Sequence, residues 1–514
     1  MWISKKRFDA VIKAAKRSFA VSAFNASKIT RLTASMATVS QSMDWDLRQS
    51  LQIMRARARS LSVNNDYAKK FLQMCKTHVV GPNGFRLQPN VSEVSTNGTM
   101  IKDGLANRAI TDAFLDWCSQ GQCDVTGQHS FFDICNLAIA SVARDGETLI
   151  RKVYGRGKYG FQLQILDIDR LDILKNQELT NNGMIKMGVE TDKYGAPVAY
   201  HVLRRHPGDT PYYTMEGSFW ERVPAEDMYH LFVAERPEQH RGIPWMHTAI
   251  LRLQNLGGYE EAAVVAARVG ASKMGFFTTP DGDATPLMDT TDDTATPMTE
   301  AEPGVFEVLP KGTSFEPFNP DYPHQQFGDF VKASLRGVAS GLGVAYNTLS
   351  NDLEGVNFSS IRAGVLEERD NWMAIQKWFI ENFLNDLYST WLQYAMLKKA
   401  IVMPNGSPLP ISKLEKFDNA KWHGRRWQWI DPLKDAEANV LAVNNGFKSR
   451  KKVAAESGTD FEETLYELAD EEKLIKKLGV SIEQPAAKVA PQQIGTATPA
   501  KPGKAPPPDS PEGE

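Results

Sequence analysis

The sequence predicts an α+β protein, helical toward both ends with one block of short antiparallel strands between them. Three observations lead there. Apolar residues recur every three to four positions over 44–80, 107–117 and 131–142, the spacing of helices buried along one face. From Thr148 to Ala234 the spacing falls to two, with Gly, Pro or Asn between the runs, as strands and turns require. From Pro244 onward the helical period returns.

A chain of 514 residues can bury a large core and divide into two or three domains. No run approaches the roughly 18 apolar residues that span a bilayer. The N-terminal stretch MWISKKRFDAVIKAAKRSF carries too many charges for a signal-peptide core, so a cytoplasm-like compartment is expected. The net charge of −3 conceals two opposed segments. Residues 1–60 hold five Lys, seven Arg and three Asp, whereas residues 281–302 hold five Asp, two Glu and no base. A protein that grips DNA tightly shows a broad basic face, which these totals do not provide, so any DNA contact is local.

Residues 1–40 are basic, with helical spacing at Phe8, Val11, Ile12 and Phe19, and read as an arm awaiting a partner. Residues 44–80 read as two helices, restarting at Ser62 and Asn64 and ending at the Gly81–Gly84 turn. Helices follow at Asn107–Trp117 and Phe131–Val142. The runs TLIRKVY, FQLQILDI, IKMGVETD, PVAYHVL and DMYHLFVA read as single strands, and GVETDKYGAPVAYHV as a hairpin turning at Tyr194-Gly195. A long helix is expected from Pro244 to about residue 274, bent at Gly257-Gly258. Its small residues Ala262, Ala263, Ala266, Ala267 and Gly270 suit close packing against copies of itself. An acidic excursion with one strand, GVFEVLP, leads to a second helix over 325–342, then a Gly- and Asn-containing loop over 343–359. An aromatic-rich helix runs from Ser360 to about Lys398, further helices reach Gly479, and the Pro-rich tail 481–514 reads as disordered.

Catalytic signatures are missing from the sequence: it holds no phosphate-binding loop of the G-x-x-x-x-G-K-[ST] type, no G-x-S-x-G elbow and no H-E-x-x-H pair. Cys118, Cys123, His129 and Cys135 lack the paired spacing of a closed zinc site. His201, His230, His240 and His247 read as separate packing or surface residues. Asp167, Asp169 and Asp172 are the one compact carboxylate set in the strand region, and fit either a two-metal nuclease or a strand end entering a turn.

Several segments, taken in order, resemble the lambda-type family of tailed-phage portal proteins. They are ARSLSVNNDYAKKF, VVGPNGFRLQP, RDGETLI, LQILDIDRLD, GVETDKYGAPVAYHV, ERPEQHRGIPW, YEEAAVVAARVGASKMGFF, GVFEVLPKGTSFEPFNPDYPHQQFGDFVKASLRGVASGLGVAY, LSNDLEGVNFSSIRAGVLEERDNW, WQWIDPLKDAEA and GFKSRKKVAAESGTDFEE. The resemblance covers roughly residues 40–480 and leaves out the arm and the tail.

That resemblance implies a ring of twelve subunits at a capsid vertex, with a wing of helices and antiparallel sheet, long stem helices, a small clip and a helical crown. By position, 41–243 is wing, 244–274 and 325–342 are the two stem helices, and 275–324 is clip. Residues 343–359 become the tunnel loop, and 360–480 complete wing and crown. The implied partners are double-stranded DNA in the channel, held weakly and non-specifically, the terminase large subunit, head-completion or connector proteins, and the major capsid and scaffold proteins. No membrane, cofactor or metal is implied, nor any catalytic residue. Asn347, Ser350, Asn351, Asn357 and Ser359 are the expected loop contacts to DNA, and Lys332 and Arg336 line the channel if their helix face points inward. Asp281, Asp283, Asp289, Asp292 and Asp293 are the expected partner-docking residues of the clip. The virion would be the destination, with assembly in the host cytoplasm. Two other readings compete: another capsid or connector subunit, and a metal-dependent enzyme acting on DNA through Asp167 and Asp169.

Overall fold

The structure is a computed structural model that describes residues 31, 33–94, 100–180, 183–212, 219–271, 275–278, 314–317, 326–354, 358–427, 432–456 and 461–479. Two compact units result, Met1–Ile430 and Asp431–Glu514.

The first unit opens with helix α1 (Met43–Asn64), capped by the Ser42 hydroxyl, which accepts from the Trp45 amide. The Asn65 side chain caps α2 (Asp66–Cys75) through the Ala68 amide, one residue beyond the expected restart. A π turn, Lys76–Val80, carries α2 on to Gly81, where φ is 77°. Helix α3 spans Gly104–Cys118. In α4 (Phe131–Asp145), Ser130 and Asp133 form a capping box, and Gly146 ends the helix in left-handed backbone at φ 92°.

Strands β4 (Glu147–Tyr154), β5 (Phe161–Leu166) and β11 (Met228–Phe232) form an antiparallel sheet in the order β11-β4-β5. Strands β6 (Gln177–Glu178), β7 (Met184–Lys186), β8 (Val189–Thr191), β9 (Pro197–Leu203) and β10 (Trp220–Pro224) form a second, ordered β10-β9-β8-β7-β6. Alternation along β4 explains how the first sheet is buried on both sides. Ile150 joins the main core of helices, whereas Leu149 joins a separate cluster with Val189, Tyr200, Val202 and Val223 of the second sheet.

Two-stranded ladders pair β1 (Arg86–Pro89) with β14 (Ala420–His423), β2 (Ser92–Val94) with β3 (Met100–Lys102), and β12 (Gly275–Thr278) with β13 (Ser314–Pro317). After α5 (Ile250–Ala271), α6 (Phe327–Leu342) and α7 (Tyr346–Ser350), one helical rod comprises α8 (Phe358–Phe379), a π turn at Ile380–Leu384, and α9 (Asn385–Leu397). The core is aromatic: Trp117, Phe131, Phe161, Phe379, Phe383 and Trp391 are all buried, and Trp117 Nε1 donates to the Phe161 carbonyl at 2.9 Å. A short helix, α10 (Leu414–Phe417), precedes β14. The second unit comprises α11 (Pro432–Asn444), α12 (Arg450–Glu456) and α13 (Phe461–Leu478).

The expected hairpin forms as read: the Asp192 carboxylate accepts from the amides of Tyr194 and Ala196, each at 2.8 Å, and Gly195 adopts φ 84°. Three expectations need correction. IKMGVETD is two strands, because Met187 and Gly188 take φ 47° and 85° and turn the chain back. The helix expected from Pro244 begins at Ile250. His247 N donates to Pro244 O and Ala249 N to Met246 O in successive turns, while Trp245 N is held by Ala143 O. The segment 343–359 is not loop throughout, since it contains α7 and the start of α8. Helix α5 runs unbroken through Gly257-Gly258. GVFEVLP, the arm before residue 31 and the tail from 480 lie outside the described residues.

Candidate functional site

Helices α5 and α6 run antiparallel, and small residues set their spacing. Thr248 Oγ1, in the turn before α5, donates to Gly341 O at 3.0 Å. Tyr259 stacks on Phe327 and meets Phe330 edge-on, with ring centroids 5.5 and 4.8 Å apart. A Cβ on Gly337 would lie 1.7 Å from a guanidinium nitrogen of Arg252, so the glycine makes room for that side chain between the helices.

Lys332 and Arg336 lie one turn apart on α6 and both face the segment that follows it. Lys332 Nζ is 3.7 Å from Asp352 Oδ2 and 3.6 Å from Glu354 Oε2. The Arg336 guanidinium sits 5.5 Å from the Tyr346 ring centroid, and the Tyr346 hydroxyl donates to Asp352 at 2.7 Å. That hydrogen bond, the Glu354 amide and Lys332 hold the Asp352 carboxyl below the usual range. The two carboxylates raise the Lys332 ammonium in turn. The far side of α7 is anchored by Thr348, which donates to Glu368 at 3.0 Å, and Glu368 also accepts from Trp372 Nε1 at 3.1 Å.

Of the expected loop contacts, Asn347 is half-buried on α7 and Asn351 is exposed at its C-cap with φ 54°. Ser350 serves the turn itself, its Oγ donating to Tyr346 O at 2.8 Å and accepting from Asp352 N at 3.2 Å. Ser359 is in the first turn of α8, by backbone alone. Asn357 lies outside the described residues, as do Asp281, Asp283, Asp289, Asp292 and Asp293.

A second constellation is buried between α1 and the first sheet. Glu147 at the start of β4 is fully buried and accepts from Arg55 of α1, from Arg241 Nε at 2.8 Å, from His230 Nε2 at 2.6 Å and from Gly242 N at 2.9 Å. Burial pushes its carboxyl up, and the guanidiniums of Arg241 and Arg55 overcome that and hold it far below the usual range. His230 stays neutral, because burial lowers it. One turn along α1, Arg59 bridges Asp145 at 2.7 Å, Asp169 at 2.6 Å and Asp167 at 3.0 Å. The backbones close at the same point: a Cβ on Gly242 would lie 2.1 Å from Gly146 O.

Among the described residues one group of three possible metal ligands comes together, Asp167, Asp169 and His206. Arg59 bridges both carboxylates and so already supplies their positive partner, while Asp172 accepts from Trp220 Nε1 at 2.9 Å. The cysteines are free thiols; burial pushes Cys123 up to about 12 and holds Cys118 and Cys135 well above their ordinary value. His129 Nδ1 faces Asp124 at 3.2 Å, His201 faces Glu190 at 3.0 Å, His240 faces Asp44 at 2.7 Å and His247 faces Pro244 O at 3.0 Å.

The profile of the family described as phage portal protein, lambda family, matches residues 30–376, well over half of the chain. A probable portal protein of Halomonas phage phiHAP-1 is 33% identical over 471 residues, 89% of this chain and 87% of that one. The chain belongs to the lambda family of phage portal proteins. Portal protein B of Escherichia phage lambda is a more distant relative, 22% identical over 82% of this chain and 84% of its own. Among solved structures, a chain from the neck of an empty GTA particle aligns over 83% of this chain and 97% of its own, at a TM-score of 0.41 and 13% identity.

In this portal chain, three segments that carry the family resemblance converge on Arg55, Arg59 and Glu147. RDGETLI supplies Asp145, Gly146 and Glu147, LQILDIDRLD supplies Asp167 and Asp169, and ERPEQHRGIPW supplies Arg241 and Gly242. Sequence reasoning left Arg55 in a basic run, although it falls on the stripe of Leu47, Leu51, Ala58 and Leu61 that α1 buries. A base at a core position of an amphipathic helix was the available signal.

Proposed function

We propose that this portal chain closes into a ring of twelve copies at one vertex of a phage or prophage capsid. The ring would be a channel for DNA packaging and ejection and a platform for the terminase large subunit and for head-completion or connector proteins. The major capsid and scaffold proteins would surround it, and the virion would be its destination after assembly in the host cytoplasm. Residues 41–243 would form the wing, α5 and α6 the stem, 275–324 the clip, 343–359 the tunnel loop, and 360–480 the rest of wing and crown. Asn347, Ser350, Asn351, Asn357 and Ser359 would touch the moving duplex, with Lys332 and Arg336 beside them. Asp281, Asp283, Asp289, Asp292 and Asp293 would steer partners to the clip by complementary charge. The role is structural, with no chemical step.

One observation carries the ring: the stem pair has an apolar outer face that its own protomer leaves uncovered. On the side of α5 away from buried Leu253, Leu256 and Ala263, Leu251 is 66% and Val265 50% exposed. Ala262 is exposed on the same side, so a neighbouring helix can approach closely. A heterologous contact that repeats by rotation closes into a ring. Light scattering with negative-stain averaging tests this. A closed ring of about twelve subunits with a central hole is expected, and a stable monomer or dimer under assembling conditions overturns it.

A further inference from the structure

Lys332 and Arg336 are the two bases of α6, and each already has a partner in the segment that follows. Lys332 faces Asp352 and Glu354, and Arg336 lies on Tyr346, whose hydroxyl is bound by Asp352. Two positive and two negative groups therefore meet in one patch of zero net charge. The arrangement is held by backbone as well as by charge. Asn351 ends α7 in left-handed backbone, the Asp352 amide is bound by Ser350 Oγ, and the Glu354 amide by Asp352 Oδ1 at 3.0 Å.

We propose that Asp352 and Glu354 are built-in competitors for DNA phosphate, placed so that the stem touches a duplex without gripping it. The inference rests on the portal reading above, because it requires this patch to face the channel. A phosphate approaching Lys332 must displace a carboxylate already there, so contact becomes an exchange of one anion for another. Affinity for polyanions grows with every base left uncompensated, and the logarithm of the binding constant falls with salt by about 0.9 per phosphate neutralised. In a ring the same patch recurs in every subunit, so a small surplus of positive charge per subunit would multiply into tight, static binding. The acids thus set how freely DNA slides, and the bases keep the wall from repelling it.

The test uses purified rings and a fluorescent mixed-sequence duplex long enough to thread the channel, with anisotropy read across a salt series. Asp352→Asn/Glu354→Gln rings are expected to bind at least about tenfold tighter at low salt, with a slope steeper by about one unit or more. Adding Lys332→Ala to that variant should return both values toward the unmodified ring. Glu354→Gln alone serves as the second variant: Glu354 is 86% exposed, and its side chain takes no part in the hydrogen bonds that shape the turn. It should give a smaller change in the same direction. Rings of both variants that match the unmodified affinity and slope overturn this inference alone. A chain that never closes into a ring overturns the proposed function, and this inference with it.

Discussion

Replacing Glu147 with Gln removes one negative charge from a site with two buried guanidiniums and leaves its shape almost unchanged. Arg55 and Arg241 are 2% and 0% exposed, so neither reaches water to compensate. The new amide also sets N–H groups against donors, because both carboxylate oxygens accept now: Oε1 from Arg55 and Arg241, Oε2 from His230 and the Gly242 amide. Breaking a buried ion pair by removing one partner costs about 3–5 kcal/mol, and here two cations lose the same partner, so about 5 kcal/mol is expected. Urea titration followed by tryptophan fluorescence reads it. At a slope of several kcal/mol per M for a unit this large, the midpoint should fall by about 1 M. Acid provides a second reading. A carboxyl held below its ordinary value stabilises the fold above that value, 4.5, and loses the contribution as pH falls beneath it. The gap between wild type and Glu147→Gln should therefore narrow as pH drops from about 4.5. A variant within about 1 kcal/mol of wild type at neutral pH would refute the reasoning, for that is the size expected of an exposed pair such as Lys158–Asp116.

Other expectations follow from the same geometry. Gly242→Ala should prevent folding or cost more than about 3 kcal/mol by urea titration, since the added methyl meets the Gly146 backbone, which has nowhere to move. Gly337→Ala should cost less than about 1.5 kcal/mol in the same assay, because its clash is with the flexible end of Arg252. His78 is lowered to about 4 by burial and then by Arg425, Lys70 and Arg369, so its neutral ring accepts from Trp427 Nε1 at 3.2 Å. As pH falls from 6.5 toward 4 the unfolded chain takes a proton that the native one refuses, and stability should drop over that window; His78→Phe should flatten the drop in pH-dependent urea midpoints. Val265→Asp, exposed in the protomer, should leave protomer stability within about 0.5 kcal/mol and abolish ring formation in light scattering.

Periodicity exposed the elements whose neighbours in space are neighbours in sequence. Helices α1 to α4 and strands β4, β5 and β9 follow from spacing, and the Asp192–Gly195 turn from its residue types. What escaped depended on distant partners. Strand β1 pairs with β14, Leu87 opposite Trp422, and neither run shows an alternation of its own. The break at Met187 escaped because a Met rarely takes positive φ; its carbonyl is fixed by Arg241, and its amide by Asn176 at 3.0 Å. Helices α5 and α6 were legible, whereas the counter-charges on Lys332 were not. Asp352 and Glu354 read as ordinary loop acids until α7 turns them back onto α6.

The antiparallel pair of α5 and α6 also bears on how such a protein changes over generations. Chain leaves α5 and re-enters at α6 on the same side, with Phe277 opposite Phe315 closing the base of the excursion. For a segment whose ends are pinned together, each doubling of length costs only about 0.6 kcal/mol. By that scaling, a change in the number of residues between Thr278 and Ser314 costs little, because the β12–β13 ladder already holds the two ends together and α5 and α6 keep their own contacts.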